Sequence, residues 1–519
     1  MNKIYLKTIP GVIMMLLMMM SSCNLDRLPS NAIPEHMSLK TVEHVKFWEA
    51  GFMAGLRTVQ KGIFENLQDV QADQLNASIG FANNMVDAYA WESFKAANED
   101  LGSVWHAYYN RIKNINYALP RFSQIPAKTA EDRAIIDRAT GVGHFLRAYY
   151  YFNLSIRYAK PYNAETAETD LGVPLVLIYD QYGMPARATN KAVYEHILNV
   201  DIKEAKRLLG AMDGRPMASN ITKDAVLALE ARIKLYMSDW KGALAASEAL
   251  ISSGTYTLST PVEESFRLMW HQSLSTEEIL QLQIQRPDEL PNTSNYYGAT
   301  TVYEQEHGLR NNPDYLPSQW MVNLYSDADI RKKVYFEKQN CFYQGETYLL
   351  NVISKFKGDV DFATLIGSVY SVWGGYVPNS LTNPKVFRIA EQYLIAAEAA
   401  YMSGDADRAV KYLNQLRYSR RLGRVNATGN KLLREIRDER TRELAFEGFR
   451  LWDLRRWNMP MKRHSPQTLS GGATPFLYNG AGLDLEIPAG HDKFVWAIPS
   501  NDIKTNPNIA NQQNPGWGL

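Results

Sequence analysis

The sequence predicts an all-α (mainly α) fold, in which tetratricopeptide-like helical hairpins form a scaffold that carries an irregular, loop-rich insertion and a few short strands. Three observations predict it. Apolar residues recur at three- and four-residue steps through much of the chain, as one buried helix face requires. A helix, tight turn and second helix occur twice at the same internal spacing. Between the two copies, from roughly Thr260 to Asn383, the periodicity gives way to prolines, glycines, asparagines and clustered aromatics. The composition is that of an ordinary globular chain, 519 residues of which 45% are hydrophobic and 21% charged, and it excludes wholesale disorder. With 56 lysines and arginines against 55 acidic residues, no global field draws the chain to nucleic acid, and no such partner is expected.

Residues 1–22 read as a signal peptide. Lys3 and Lys7 form a basic start, Ile9 to Met20 is a largely apolar stretch, and Ser21-Ser22-Cys23 follows at once. A bilayer span needs roughly 20 apolar residues, so this stretch is too short for an anchor helix. A cysteine just behind two small residues resembles the junction of a bacterial lipoprotein, in which the thiol of Cys23 is lipidated and becomes the first mature residue. That resemblance implies acyl chains holding the body to a membrane at about 0.8 kcal/mol per buried methylene. Residues 23–38, with Pro29 and Pro34, then form a lipidated tether. Cys341 is left as a lone thiol and is expected in the core.

Residues 39–259 read as an N-terminal helical region. Val45, Trp48, Phe52 and Leu56 share one helix face, as do Trp105, Tyr109, Ile112 and Leu119, and Phe145 to Tyr158 is apolar on a broader arc. The repeat follows. Tyr236-Met237-Ser238 precedes Asp239, Ala243 and Leu250, and Tyr401-Met402-Ser403 precedes Asp405, Ala409 and Leu416 at the same offsets from the aspartate. Each copy reads as a hairpin whose aspartate caps the second helix and whose alanine lets the backbones approach. Such a unit cannot bury its face alone, so about four are expected, two of them weakly marked before residue 210. Residues 260–519 form the C-terminal region, including the insertion 260–383, where only Glu278 to Gln285 and Val334 to Phe342 look strand-like.

The nine histidines make no pair at metal-ligand spacing, and there is no HExxH, GxSxG or glycine-rich phosphate loop. No metal, cofactor or catalytic residue is therefore expected. Glu439, Glu443 and Glu447 succeed one another at four-residue steps, a mutually repulsive stripe that persists only if cations face it. Arg388, Arg442 and Arg450 are the nearest candidates.

The segment Arg434 to Trp457, REIRDERTRELAFEGFRLWDLRRW, resembles the signature of the SusD/RagB family of outer-membrane nutrient-binding lipoproteins. Glu439, Arg440, Glu443, Leu444, Phe446, Glu447, Gly448, Arg450, Asp453, Leu454, Arg456 and Trp457 fall in place. Resemblance extends to Phe387 to Glu391, Gly143 to Leu154, Gly172-Val173-Pro174 and the ending Gln513 to Trp517. It implies a surface-exposed, lipid-anchored protein of the cell outer membrane that binds and does not catalyse. Its role would be to capture a nutrient, usually a glycan fragment, and pass it to a SusC-like TonB-dependent transporter on which it sits as a lid. Peptide cargo, an all-helical envelope glycosidase and a protein-binding scaffold remain alternatives.

A sugar ring offers an apolar CH face to an aromatic platform and hydroxyls to amides, so exposed aromatics beside asparagine are the feature to seek. Most tryptophans fall at core or signature positions, and core is favoured for Trp270 and Trp320. Three clusters remain: Phe81 to Trp91, Asn295 to Tyr297, and Trp373 to Tyr376. The family resemblance implies a ligand site built from the loop after the second helix and from the insertion. Trp91, Tyr296, Tyr297, Trp373 and Tyr376 are accordingly expected as platforms, with Asn83 as a hydrogen-bonding neighbour.

Overall fold

Short polar side chains start most of the long helices. In the computed structural model, which describes residues 39–80, 84–284, 300–304, 308–358, 382–469, 474–476 and 484–518, Thr41 accepts the His44 N–H to begin α1 (Val42–Thr58). Helices α2 (Ile63–Gln71) and α3 (Val86–Ala90) lead to α4 (Glu99–Phe122), whose first turn is capped by the Asn98 side chain. A capping box between Thr129 and Asp132 opens α5 (Ala130–Tyr158). The chain returns through α6 (Asn190–His196) and a π-helical stretch into α7 (Lys203–Leu209).

Helices α1, α4 and α7 all pack on α5. Close approach needs small residues at the crossings: a Cβ at Gly141 would lie 2.7 Å from Leu209, and one at Gly143 would lie 2.8 Å from Leu119. The first repeat copy is α8 (Lys223–Tyr236) with α9 (Trp240–Ser252). Beyond α10 (Glu263–His271), α11 (Gln319–Asn323) and α12 (Ile330–Tyr335), the second copy is α13 (Ile389–Met402) with α14 (Ala406–Ser419). Asp239 accepts the Gly242 N–H and Asp405 the Arg408 N–H. Ala243, Ala409, Leu250 and Leu416 are buried, and α9 packs directly on α13, so the two copies stack. The tight turns are left-handed, at Ser238 (φ 60°) in one copy and at Gly404 (φ 87°) in the other.

The described part of the insertion is more regular than its sequence suggests. It leaves the scaffold along the strand Glu278–Gln281 and returns along the strand Lys385–Arg388, which pair antiparallel and clamp its two ends together. Helix α10 lies just before the first of these strands, and between the two α11 and α12 supply helices that the prolines and asparagines hid. The predicted strand at Val334 begins later, at Phe336, because Asp329 caps a helix that runs to Tyr335. It forms a hairpin of Phe336–Tyr343 with the unanticipated strand Glu346–Ile353, joined by Gln344 and Gly345 at positive φ.

The acidic stripe ends α15 (Gly429–Glu443), and Glu439 and Glu443 have no exposed surface. Glu443 meets Arg388 at 2.8 Å and both Arg331 and Arg420 at 2.9 Å. Glu439 meets Arg331 at 2.7 Å, Arg442 at 2.8 Å and Arg417 at 3.1 Å. Glu447 meets Arg388 at 2.6 Å and Lys355 at 2.7 Å. Arg388 and Arg442 are the cations that the sequence nominated. Arg450 is not one: its guanidinium is taken up by Asp73 at 2.7 Å and by the Thr441 hydroxyl. Burial alone would raise the Glu443 carboxyl, but Arg420, Arg388 and Arg331 overcome it and hold the group well below the usual carboxylate range. Glu439 is held at about 2 in the same way, with burial opposed by Arg331, Arg442 and Arg417.

Candidate ligand-binding site

Strand β1 (Leu75–Ala77) follows α2 and pairs antiparallel with the insertion strand Tyr315–Pro317. This pairing draws the loop after α2 onto the insertion. The Ser78 N–H donates to the Asp314 carbonyl at 2.8 Å, and the hydroxyls of Ser78 and Tyr343 donate to the Pro313 carbonyl at 2.9 and 2.7 Å. Contact is close enough to exclude a side chain at Gly80, whose Cβ would stand 2.6 Å from Asn312 Oδ1. Farther along the loop, Asn84 Nδ2 donates to Asp314 Oδ2 at 3.1 Å, and the Tyr315 hydroxyl donates to the Asn84 carbonyl.

Two polar groups at this junction are taken out of water. Burial pushes the Asp314 carboxyl up to about 6, with the Asn84 amide pulling the other way, so at neutral pH it is chiefly a carboxylate that accepts hydrogen bonds. Asn312 Oδ1 is buried without a partner among the described residues. Sequence reasoning passed over both. The signal was the polar run Asn311-Asn312-Pro313-Asp314, which carries no aromatic ring.

Of the six predicted ligand residues, Trp91 is described, and it corrects the expectation. It is 2% exposed, its Nε1 donates to the Gln71 carbonyl at 2.8 Å, and Phe494 packs edge-on at 5.2 Å. A ring expected to stand free in a loop is covered by a segment from the far end of the chain. Asn83, Tyr296, Tyr297, Trp373 and Tyr376 lie outside the described residues, as does Cys23. Tyr89 is buried under the Arg463 guanidinium, 4.0 Å above its ring. Trp270 is a core residue at 1% exposure, whereas Trp320 is only half-buried and stacks on His464 at 4.0 Å.

Cys341 is buried, and burial pushes its thiol up to about 12, which suits a core residue and not a nucleophile. Among the described residues no group of three histidines, cysteines or carboxylates is disposed to hold a metal, and no helix is long and apolar enough to cross a membrane.

Comparison with known proteins adds to this geometry. Residues 371–517 match the sequence profile of the SusD family, and residues 26–235 match a second, SusD-like profile described as "Starch-binding associating with outer membrane". A SusD-like protein of Formosa agariphila is 23% identical over 406 residues, 70% of this chain and 73% of its own length. The chain also resembles two solved structures in fold. One is a SusD superfamily protein of Bacteroides thetaiotaomicron, at TM-score 0.73 and 22% identity, covering 92% of this chain and 100% of that one. The other is a putative sugar binding protein of Bacteroides vulgatus, at TM-score 0.71 and 21% identity, covering 93% and 100%.

Proposed function

Because this chain belongs to the SusD/RagB family, we propose that it is a cell-surface glycan-binding lipoprotein. It captures oligosaccharide and delivers it to a SusC-like TonB-dependent transporter of the outer membrane, to which lipid on Cys23 holds it. The reading is of a binder and not of an enzyme. The observation that carries it is the junction at Asp314, where the loop after α2 meets the insertion and gathers the Asp314 carboxyl and the Asn84 amide, groups of the kind that bind sugar hydroxyls. Tyr296, Tyr297, Trp373 and Tyr376 would supply the apolar face there and Asn83 a further amide, while Trp91 supports the loop from beneath.

Calorimetry with defined oligosaccharides, followed by chromatography of the sugars, tests this. A binder returns them intact; hydrolysis products would refute the reading. Alanine at each of Tyr296, Tyr297, Trp373 and Tyr376 should cost about 1–3 kcal/mol of affinity with little change in Tm. Trp91→Ala should do the reverse, costing about 3–5 kcal/mol of stability. Cys23→Ala should move the folded body to the soluble fraction; continued membrane association in cells lacking the transporter would disprove the anchor.

A further inference from the structure

Helices α1 and α4 lie side by side on α5 and leave between them a cleft of about 410 Å³, the size of a small-ligand site. The gap exists because α1 carries Gly51 on this wall, where a Cβ would meet nothing within 4 Å. At the base of the cleft is Tyr150, 1% exposed, whose hydroxyl has no hydrogen-bond partner among the described residues. Buried polar groups are nearly always paired, and an unpaired hydroxyl on a residue that lines a cleft points to a partner that binds there.

The rest of the lining is consistent with one kind of partner. Phe47 is 64% exposed at the rim. Trp48, expected in the core, is half-buried and fixed parallel on Tyr117 at 5.5 Å, so the wall is aromatic and rigid. Asn110 and Asn114, one helical turn apart on α4, are exposed. Arg111 between them is held by the Gly55 and Ala107 carbonyls and the Thr58 hydroxyl, and among the described residues no carboxylate lines the cleft.

We propose that this cleft is a second ligand site, taking one neutral or carboxylate-bearing pyranose ring. The CH face lies against Phe47 and Trp48, and the hydroxyls reach the two amides and the Tyr150 hydroxyl. The sugar class rests on the glycan reading above; the cleft itself shares no lining residue with the junction at Asp314.

The test is calorimetry of the mature chain with hexasaccharides of glucose, xylose and galacturonic acid, using wild type, Gly51→Leu and Tyr150→Phe. Gly51→Leu fills open space within a helix and should keep or raise Tm. Tyr150→Phe removes one unpaired oxygen and should fold normally. The expected result is two sites in wild type, loss of one in Gly51→Leu, and about three- to tenfold weaker binding at that site in Tyr150→Phe. A wild type with a single site that Gly51→Leu abolishes also supports the cleft and removes the junction site. Sugar binding unchanged in both variants overturns the cleft and leaves the glycan reading intact. No sugar bound by wild type overturns the glycan reading and the sugar assignment of this cleft together.

Discussion

In the seam beneath α15, Glu443 meets three guanidiniums within 2.9 Å, whereas in the cleft between α1 and α4 the buried Tyr150 hydroxyl has no hydrogen-bond partner among the described residues. Both places take polar atoms out of water. In the seam each carboxylate faces at least two cations, so the desolvation cost is offset inside the protein and the network locks distant segments together. In the cleft the offset is missing and the apolar wall stands open at Phe47 and Gly51. The difference separates polar burial that serves folding from polar burial that leaves capacity for a ligand.

Breaking the seam should have the largest effect. Glu443→Ala leaves Arg331, Arg388 and Arg420 facing one another without their shared carboxylate and should cost about 3–5 kcal/mol, read by urea denaturation. A loss below about 1 kcal/mol would put the stripe in the class of surface ion pairs and end the contrast.

Acid should weaken the same region next. The folded carboxyls of Glu443 and Glu439 titrate below the unfolded value of 4.5, so their contribution is complete above that value and is lost as pH falls toward about 2, where Glu439 titrates. Urea melts taken from pH 6 to pH 2 should show a falling midpoint, and Glu443→Gln should flatten that fall. An identical slope in the variant would assign the acid sensitivity to other groups.

The cleft should respond in the opposite sense and more weakly. Gly51→Ala adds a methyl to open space and removes a helix-interior glycine, and should raise stability by about 0.5–1 kcal/mol. A decrease in Tm would mean that the space is already filled. Smallest of all, Phe47→Ala should stay within about 0.5 kcal/mol of wild type despite removing a large ring, because most of that ring already faces solvent.

The hairpins were legible in the sequence because what makes them is local. Asp239 and Asp405 cap helices that start one residue later, Ala243 and Ala409 sit where two backbones must approach, and the apolar steps around them fall within single turns. Glu439, Glu443 and Glu447 likewise showed by spacing alone that cations must face them. Which cations do so was only half legible: Arg388 and Arg442 were named, while Arg331, Arg417, Arg420 and Lys355 arrive from other elements and Arg450 leaves for Asp73.

The loop after α2 and the insertion could be nominated for the candidate site from composition, but their meeting at Asp314 depends on the pairing of β1 with a strand more than two hundred residues away. Trp91 marks the limit most clearly. Its neighbours in sequence are those of an exposed loop ring, and it is buried because Phe494 reaches it from the other end of the chain. By itself, then, the sequence determined the helices, their caps, the repeated hairpin and the charge pattern that needed compensation. Tertiary structure alone decided which rings are covered, which arginines close the seam and which buried hydroxyl is left unpaired among the described residues. The reason is physical: a cap or a helix face is set by residues within a turn or two, whereas burial is set by whatever part of the chain packs on top.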